Sequence, residues 1–430
     1  MKKKIIVRAP ALSRSGYGEH ARFVLRSLRT VEDKFDIYLL NINWGKTGWI
    51  FEDNEERKWI DSIILKTQNF LHKKKKEMFD ISVQVTIPNE WEKMAPINIG
   101  CTAGTETTRI PPGWVEKCSL MDKLIVVSNH VKNAFDNTAY VAQNEKTGAR
   151  VENYRCETPI DVINYPVRIF EKKEDFDLSL GCDFNFLLMA QWSPRKNLEN
   201  SIRWWIDEFR DSEVGLIVKC SLQNDSLVDR HFSEKKLKDI LSDYKDRKCK
   251  IYLLHGNMDS EEMASVYQHP KIKAMISMSH GEGFGLPLFE AAYYGLPVIC
   301  PGWGGQCDFL FKPTKNKKGK IKNKASFVKI DYDIKKIQKE AVWDGVLEKE
   351  SMWCFPKKGS YRSKIRETVK NYSVLKNRAK SHKKWMEKEF LEEKMNAKFV
   401  SAIEEFLAPP AEITDIEEVF QKLVDSSKDD

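Results

Sequence analysis

Short apolar runs alternate with amphipathic stretches along most of this chain, and the alternation breaks once. Ile5–Ala9, Phe35–Ile42, Ile81–Ile87, Ile97–Thr102 and Lys123–Val127 read as strands. Between them lie helical patterns near Glu19–Leu28 and Glu55–Leu71. The second carries Trp59, Ile60, Ile63, Ile64 and Phe70 close to helical spacing, and a further helix starts at Ser128. Residues 170–181 are charged and aperiodic. A second series follows, with strands at Phe184–Ala190, Val214–Cys220, Ile251–Leu254 and Ala274–Met278 and helices at Leu198–Phe209, Glu234–Tyr244 and Ser260–Tyr267. Such βαβα alternation argues for parallel sheets covered by helices on both faces. The break makes two α/β halves rather than one large sheet, and a helical segment near Tyr361–Phe406 closes the chain.

At 430 residues the chain has ample material for two domains. A charged fraction of 31% beside a hydrophobic fraction of 41% marks a globular chain. No apolar run approaches the ~18 residues that span a bilayer. The basic start Met1–Arg8 reads as a first strand rather than a signal peptide, and a cytoplasmic location is expected. Nine cysteines without a C-x-x-C pair read as reduced packing thiols, with no zinc spacing and no metal site. The formal charge is +8, from 71 basic and 63 acidic residues. Two lysine clusters stand out, at 73–76 and across 312–324, where seven lysines meet no acid. Each reads as a solvated loop or as a contact for DNA or another anionic surface. The tail after Pro409-Pro410 is acidic.

The chemistry concentrates at Gly281-Glu282-Gly283-Phe284-Gly285-Leu286-Pro287-Leu288-Phe289-Glu290, followed by Ala291-Ala292-Tyr293-Tyr294-Gly295-Leu296-Pro297-Val298-Ile299. This reads as a strand end, a glycine-rich loop, a short helix, a glycine stop and a new strand. Gly283 and Gly285 let a ligand approach the backbone. Pro287 suits a first helical turn, where its missing N–H costs nothing. The amides of Phe284, Gly285 and Leu286 would point outward at a helix N-terminus, where unpaired donors and the helix dipole favour phosphate. Glu290, one turn in, could accept hydrogen bonds from ribose hydroxyls, and Glu282 could reach the hydroxyls of a sugar.

These residues resemble the retaining GT-B glycosyltransferases of family 4 (glycosyltransferase group 1). Glu282 and Glu290 match that family's Glu-x7-Glu motif. The resemblance implies two Rossmann-like parallel-sheet domains facing across a cleft. It also implies that Glu290 binds the nucleotide ribose, Glu282 contacts the donor sugar, and the amides between them hold the diphosphate. A second match is Gln191-Trp192-Ser193-Pro194-Arg195-Lys196. The family's Gly-Arg-x-x-x-x-Lys loop puts its phosphate-binding lysine at Lys196 and its arginine at Gln191. That departure leaves Arg195 or Lys219 to supply the charge. The implied boundaries are residues 1–170 for an acceptor-side domain, 171–182 for a linker and 183–383 for a donor-side domain. Residues 384–407 would be a helix crossing back to the first domain, and 408–430 an acidic tail.

Ser15-Gly16-Tyr17-Gly18-Glu19-His20-Ala21 also fits the dinucleotide pattern G-x-G-x-x-A. Five residues separate Pro10 from Gly16, however, and no acid closes the second strand, so a dehydrogenase is disfavoured. The resemblance places Gly16, Tyr17 and Gly18 against the donor phosphates, and Gly256 in the nucleobase loop. Thr102–Trp114 offers Glu106 and Arg109 to the acceptor or the cleft. The expected catalytic residues are Lys196, Arg195 and Glu282, and the expected donor is a UDP- or GDP-sugar with no cofactor. The expected reaction is metal-independent hexosyl or pentosyl transfer to a hydroxyl acceptor, whether a glycan, a lipid or another molecule. Two alternatives stand beside it: transfer to a modified base in DNA, and a non-catalytic nucleic-acid-binding protein. A metal-dependent GT-A enzyme would need an Asp-x-Asp such as Asp175-Phe176-Asp177 or Asp331-Tyr332-Asp333.

Overall fold

A computed structural model describes residues 2–72, 78–143, 148–315 and 319–407. The lysine cluster at 73–76, residues 316–318 of the second cluster and the acidic tail lie outside the described residues. The first half contains β1 (Lys3–Ala9), α1 (Gly16–Arg29), β2 (Phe35–Asn41), α2 (Glu55–His72), β3 (Ile81–Val85), β4 (Ile97–Thr102), α3 (Pro112–Cys118), β5 (Lys123–Val126) and α4 (Asn129–Asp136). A hairpin of β6 (Ala139–Gln143) and β7 (Arg150–Arg155) precedes β8 (Ile160–Val162). Six strands form one sheet in the order β2-β1-β3-β4-β5-β8, and every pairing is parallel. The central strands are buried along their length because helices cover both faces.

The second half repeats the plan. It runs through β9 (Asn185–Gln191), α5 (Leu198–Phe209), β10 (Gly215–Ser221), α6 (Leu227–Leu241), β11 (Lys250–Leu254), α7 (Ser260–Tyr267), β12 (Ile272–Ile276), α8 (Leu286–Tyr293), β13 (Val298–Pro301) and α9 (Cys307–Leu310). The hairpin β14 (Phe311–Lys315) and β15 (Ile321–Ala325), then β16 (Val328–Ile330) and the ribbon β17 (Tyr332–Lys336) and β18 (Met352–Pro356), come next. The chain ends in α10 (Lys358–Lys370), α11 (Tyr372–Glu389) and α12 (Glu392–Glu404). The second parallel sheet has the order β11-β10-β9-β12-β13-β16.

Three local readings differ from the sequence expectation. Gly16, Tyr17 and Gly18 are the first turn of α1 and not a loop, because the Ser15 side chain accepts the Gly18 amide and caps the helix there. The α6 helix begins at Leu227, seven residues early, because Ser226 caps it, although Leu227 and Val228 point into solvent. The closing segment is three helices. Residues 384–389 belong to α11, which packs on α8, whereas the helix that reaches the first domain is α12. There Phe399 packs on Phe23 and Ser27 donates to Asn396.

One apolar core runs through both halves. Tyr165 of the first half meets Phe284, which also packs on Phe289 and Phe309. All nine cysteines are free thiols, and seven are buried. Among the described residues no helix is long and apolar enough to cross a membrane.

Candidate active site

The carboxyl ends of both sheets face one cleft, and the expected residues assemble from its two sides. Lys196 closes a single 3₁₀ turn, Pro194–Lys196, capped by Ser193 and ended by Asn197 at φ 51°. That turn leads off β9 and aims two cations at the loop after β12. Lys196 Nζ lies 2.6 and 2.8 Å from the two oxygens of Glu282. Arg195 donates to the Gly281 carbonyl at 2.8 Å, sits 3.5 Å from Glu282 and reaches Glu106 of the first domain at 3.2 Å. Two cations and two carboxylates thus interlock across the cleft.

Burial and charge compete inside this cluster. Burial pushes the Glu282 carboxyl up, but Lys196 and Arg195 together outweigh it and hold the group below its ordinary range. Lys196 shares its one carboxylate with Arg195, so burial prevails and its ammonium is held below its usual value. Arg195 meets two carboxylates, and their charges overcome the cost of burial and raise it.

The loop behind Glu282 is shaped by glycines. A Cβ on Gly281 would stand 2.0 Å from the Glu106 carbonyl, and one on Gly283 would stand 2.4 Å from the Ala103 carbonyl. Only hydrogen lets the two domains close here. Ser128, the N-cap of α4, donates to the Gly283 carbonyl at 2.6 Å. Gly305, in the loop after β13, donates to the Glu282 carbonyl. A Cβ on Gly305 would meet the Gly283 carbonyl at 1.9 Å. Gly285 at φ 93° then turns the chain into α8. Among the described residues no hydrogen bond uses the amides of Phe284, Gly285 or Leu286. Three free donors at the start of an eight-residue helix form a place for an anion.

Glu290 lies one turn into that helix. Tyr267 donates to it at 2.7 Å. Burial, reinforced by nearby Glu19, raises its carboxyl to about 7 despite that hydrogen bond. Gly16 faces Leu286, where an added Cβ would come within 3.9 Å, and Tyr17 bonds Thr102 at 2.8 Å. Gly18 turns inward, since its Cβ position is filled by the Ser13 carbonyl. Gly256 at φ 111° opens onto free space after β11, and its carbonyl accepts from Lys219 at 3.1 Å. Burial lowers the Lys219 ammonium to about 8, with nearby Arg14 adding to the effect. Gln191, at the family's arginine position, turns away to the Leu222 carbonyl. Arg109 lies over the Tyr140 ring, apart from the Glu282 cluster.

Sequence reasoning missed Ser128, Gly305 and Arg14, whose guanidinium crosses the cleft to the Met258 carbonyl. The first two had a usable signal, a serine and a Gly-Gly pair a few residues past the ends of strands. The Asp-x-Asp strings are occupied elsewhere. Asp177 binds the Ser179 amide and faces His269, while Asp333 pairs with Lys357 and Lys335. In the second lysine cluster, Lys312, Lys315, Lys322 and Lys324 lie on the β14–β15 hairpin, with Lys312 acting on His382 of α11.

Residues 233–317 match the family described as "Glycosyl transferases group 1". The match covers part of the second domain, and the whole chain has the GT-B fold of glycosyltransferases of known structure. The serotype-specific mannosyltransferase WbdA of Escherichia coli is 26% identical over 186 residues, which is 41% of this chain and 21% of WbdA. Sucrose-phosphate synthase from Thermosynechococcus elongatus superposes with a TM-score of 0.61 at 11% identity, covering 94% of this chain and 99% of that one. Anabaena HepE, solved with UDP and glucose, gives a TM-score of 0.56 at 12% identity, covering 94% and 100%. The group 1 match contains the loop 281–286, Glu282 and Glu290.

Proposed function

We propose that this protein is a retaining glycosyltransferase that moves a sugar from a nucleotide diphosphate sugar to a hydroxyl acceptor. One observation carries the reading: Lys196, Arg195 and Glu282 interlock beside three unpaired amides at the start of α8, with Glu290 one turn further on. HepE was solved with UDP and glucose, which favours a uridine donor, whereas the match to a mannosyltransferase leaves the sugar open.

The diphosphate docks on the amides of 284–286, and Lys196 exchanges Glu282 for the β-phosphate. Glu282 is then released to the donor sugar's hydroxyls, and Glu290 takes the ribose. The bond between C1 and the β-phosphate oxygen breaks toward an oxocarbenium-like state, and its electron pair stays on that oxygen. Lys196, Arg195 and the amides stabilise the charge there. Each such preorganised donor is worth ~10²–10³ in rate. The acceptor hydroxyl attacks C1 on the face the phosphate leaves, its proton passes to the departing phosphate oxygen, and configuration is retained. No protein nucleophile is assigned.

The test is a thermal-shift screen with UDP-, GDP- and ADP-sugars, followed by NMR of the product's anomeric centre. A shift with one nucleotide class and a product of unchanged anomeric configuration are expected. Absence of any shift, together with a crystal soaked in UDP or GDP whose 284–286 amides stay empty, overturns the reading.

A further inference from the structure

The β2–α2 loop carries a tryptophan that the donor chemistry leaves unused. Trp44 is half-buried, and its ring lies on that of Tyr17 with centroids 4.3 Å apart. Tyr17 bonds Thr102 at the end of β4, and the next carbonyl, Ala103, packs against Gly283. The residue before Tyr17 is Gly16, which faces Leu286. Trp44 therefore stands one ring away from the junction where the proposed donor places its reacting carbon, on the wall formed by the first domain.

The loop backbone that carries the ring is anchored. Gly45 at φ 52° turns the chain, and the Thr47 hydroxyl donates to the Trp44 carbonyl at 2.8 Å. That hydroxyl also meets Ser13 at 2.7 Å, and Ser13 meets Ser15, the cap of α1, at 2.8 Å. One chain of hydroxyls thus ties the Trp44 backbone to the helix start that carries Gly16, and the ring itself rests on Tyr17. A side chain pre-set in this way loses little freedom when a ligand stacks on it.

The surroundings select among ligands. An aromatic face is apolar with a negative quadrupole, which suits the C–H face of a pyranose ring. Besides burial, the charges of Glu106 and Glu90 push the Tyr17 phenol upward, so both carboxylates lie within electrostatic reach of the stack. Carboxylates accept hydrogen bonds from sugar hydroxyls, and each of these two lies beside an arginine, Glu106 3.2 Å from Arg195 and Glu90 3.9 Å from Arg8.

We infer that the acceptor is a saccharide whose ring seats on Trp44 with its reactive hydroxyl turned toward Gly16 and Leu286. The inference rests on the glycosyltransferase reading and names its acceptor. The full chain, with the nucleotide sugar that the screen selects, is titrated with methyl α-glucoside, methyl α-mannoside, methyl α-galactoside and methyl N-acetyl-β-glucosaminide. Saturation-transfer NMR reads binding, and product formation reads transfer. At least one glycoside is expected to bind and be extended. Trp44→Ala is expected to lower kcat/KM for that acceptor about 10- to 100-fold while nucleotide affinity stays within about twofold. Trp44→Phe, which keeps a stacking face and guards against a folding defect, falls between. Trp343→Ala, at an exposed tryptophan in the connection between β17 and β18, leaves both readouts unchanged. Unaltered transfer in Trp44→Ala overturns the inference, as does a wild-type protein that turns over donor but ignores every glycoside. A protein that neither binds nor consumes any nucleotide sugar removes the parent reading and this one with it.

Discussion

Replacing Lys196 with methionine separates what the cluster does for stability from what it does for chemistry. The ammonium meets both Glu282 oxygens, and Glu282 is only 8% exposed. Taking one partner from a buried pair costs about 3–5 kcal/mol. Arg195 remains 3.5 Å from Glu282, so the loss falls at the lower end, about 3 kcal/mol. For a domain of this size that is a fall of about 6–12 °C in Tm. The double variant Lys196→Met with Glu282→Gln removes the stranded charge and should recover most of that fall. Activity should follow a different course. Lys196→Met loses ~10²–10³ in turnover, and the double variant, although stable, stays inactive. Differential scanning calorimetry and a donor-consumption assay on the same preparations read both quantities. A single variant that melts with the wild type would refute the buried-pair argument. A double variant that regains turnover would refute the phosphate role.

Three further outcomes are expected. The Glu290 carboxyl, raised to about 7, holds its proton more tightly folded than unfolded, so stability falls as pH rises from about 4.5 to about 7 and then levels. Glu290→Gln should match the wild-type Tm near pH 4.5 and exceed it by pH 8. Nucleotide affinity in the wild type should rise as pH passes 7, and this rise should be absent in the variant. Gly281→Ala drives a methyl into the Glu106 carbonyl 2.0 Å away and should part the domains, lowering Tm and abolishing transfer. Gly113→Ala, with open space around it, should do neither. Transfer should survive EDTA, since Lys196, Arg195 and the amides of 284–286 would meet the charge on the leaving diphosphate. Loss of activity restored by a divalent cation would refute this.

What was legible in the sequence followed physical range. Strands such as Lys123–Val126 and Asn185–Gln191 are read from a handful of consecutive apolar residues, because both faces of a parallel sheet are covered. The start of α6 was hidden because Leu227, Val228 and Phe232 are exposed and break the apolar stripe. The β14–β15 hairpin was hidden because its lysines read as a solvated loop, and Lys312 even stands opposite Lys324. The Gly16–Gly18 turn was misread because two glycines argue against a helix by propensity, whereas one serine cap decides in its favour.

The same limit governs the site. Glu282, Glu290 and Lys196 each sit in a local string that implies a ligand, so the sequence yields their identity. It does not yield their pairing, because the partners are far apart along the chain: Lys196 meets Glu282 at a separation of 86 residues, and Ser128 meets Gly283 at 155. The cleft is therefore self-satisfied, each cation paired with a carboxylate that the proposed donor must displace. This follows from burial, since four ionised groups in a closing cleft must be paired with one another or with a ligand. Ligand binding is then an exchange of partners rather than the filling of a bare positive pocket, and donor affinity should depend on how readily Glu282 gives up Lys196.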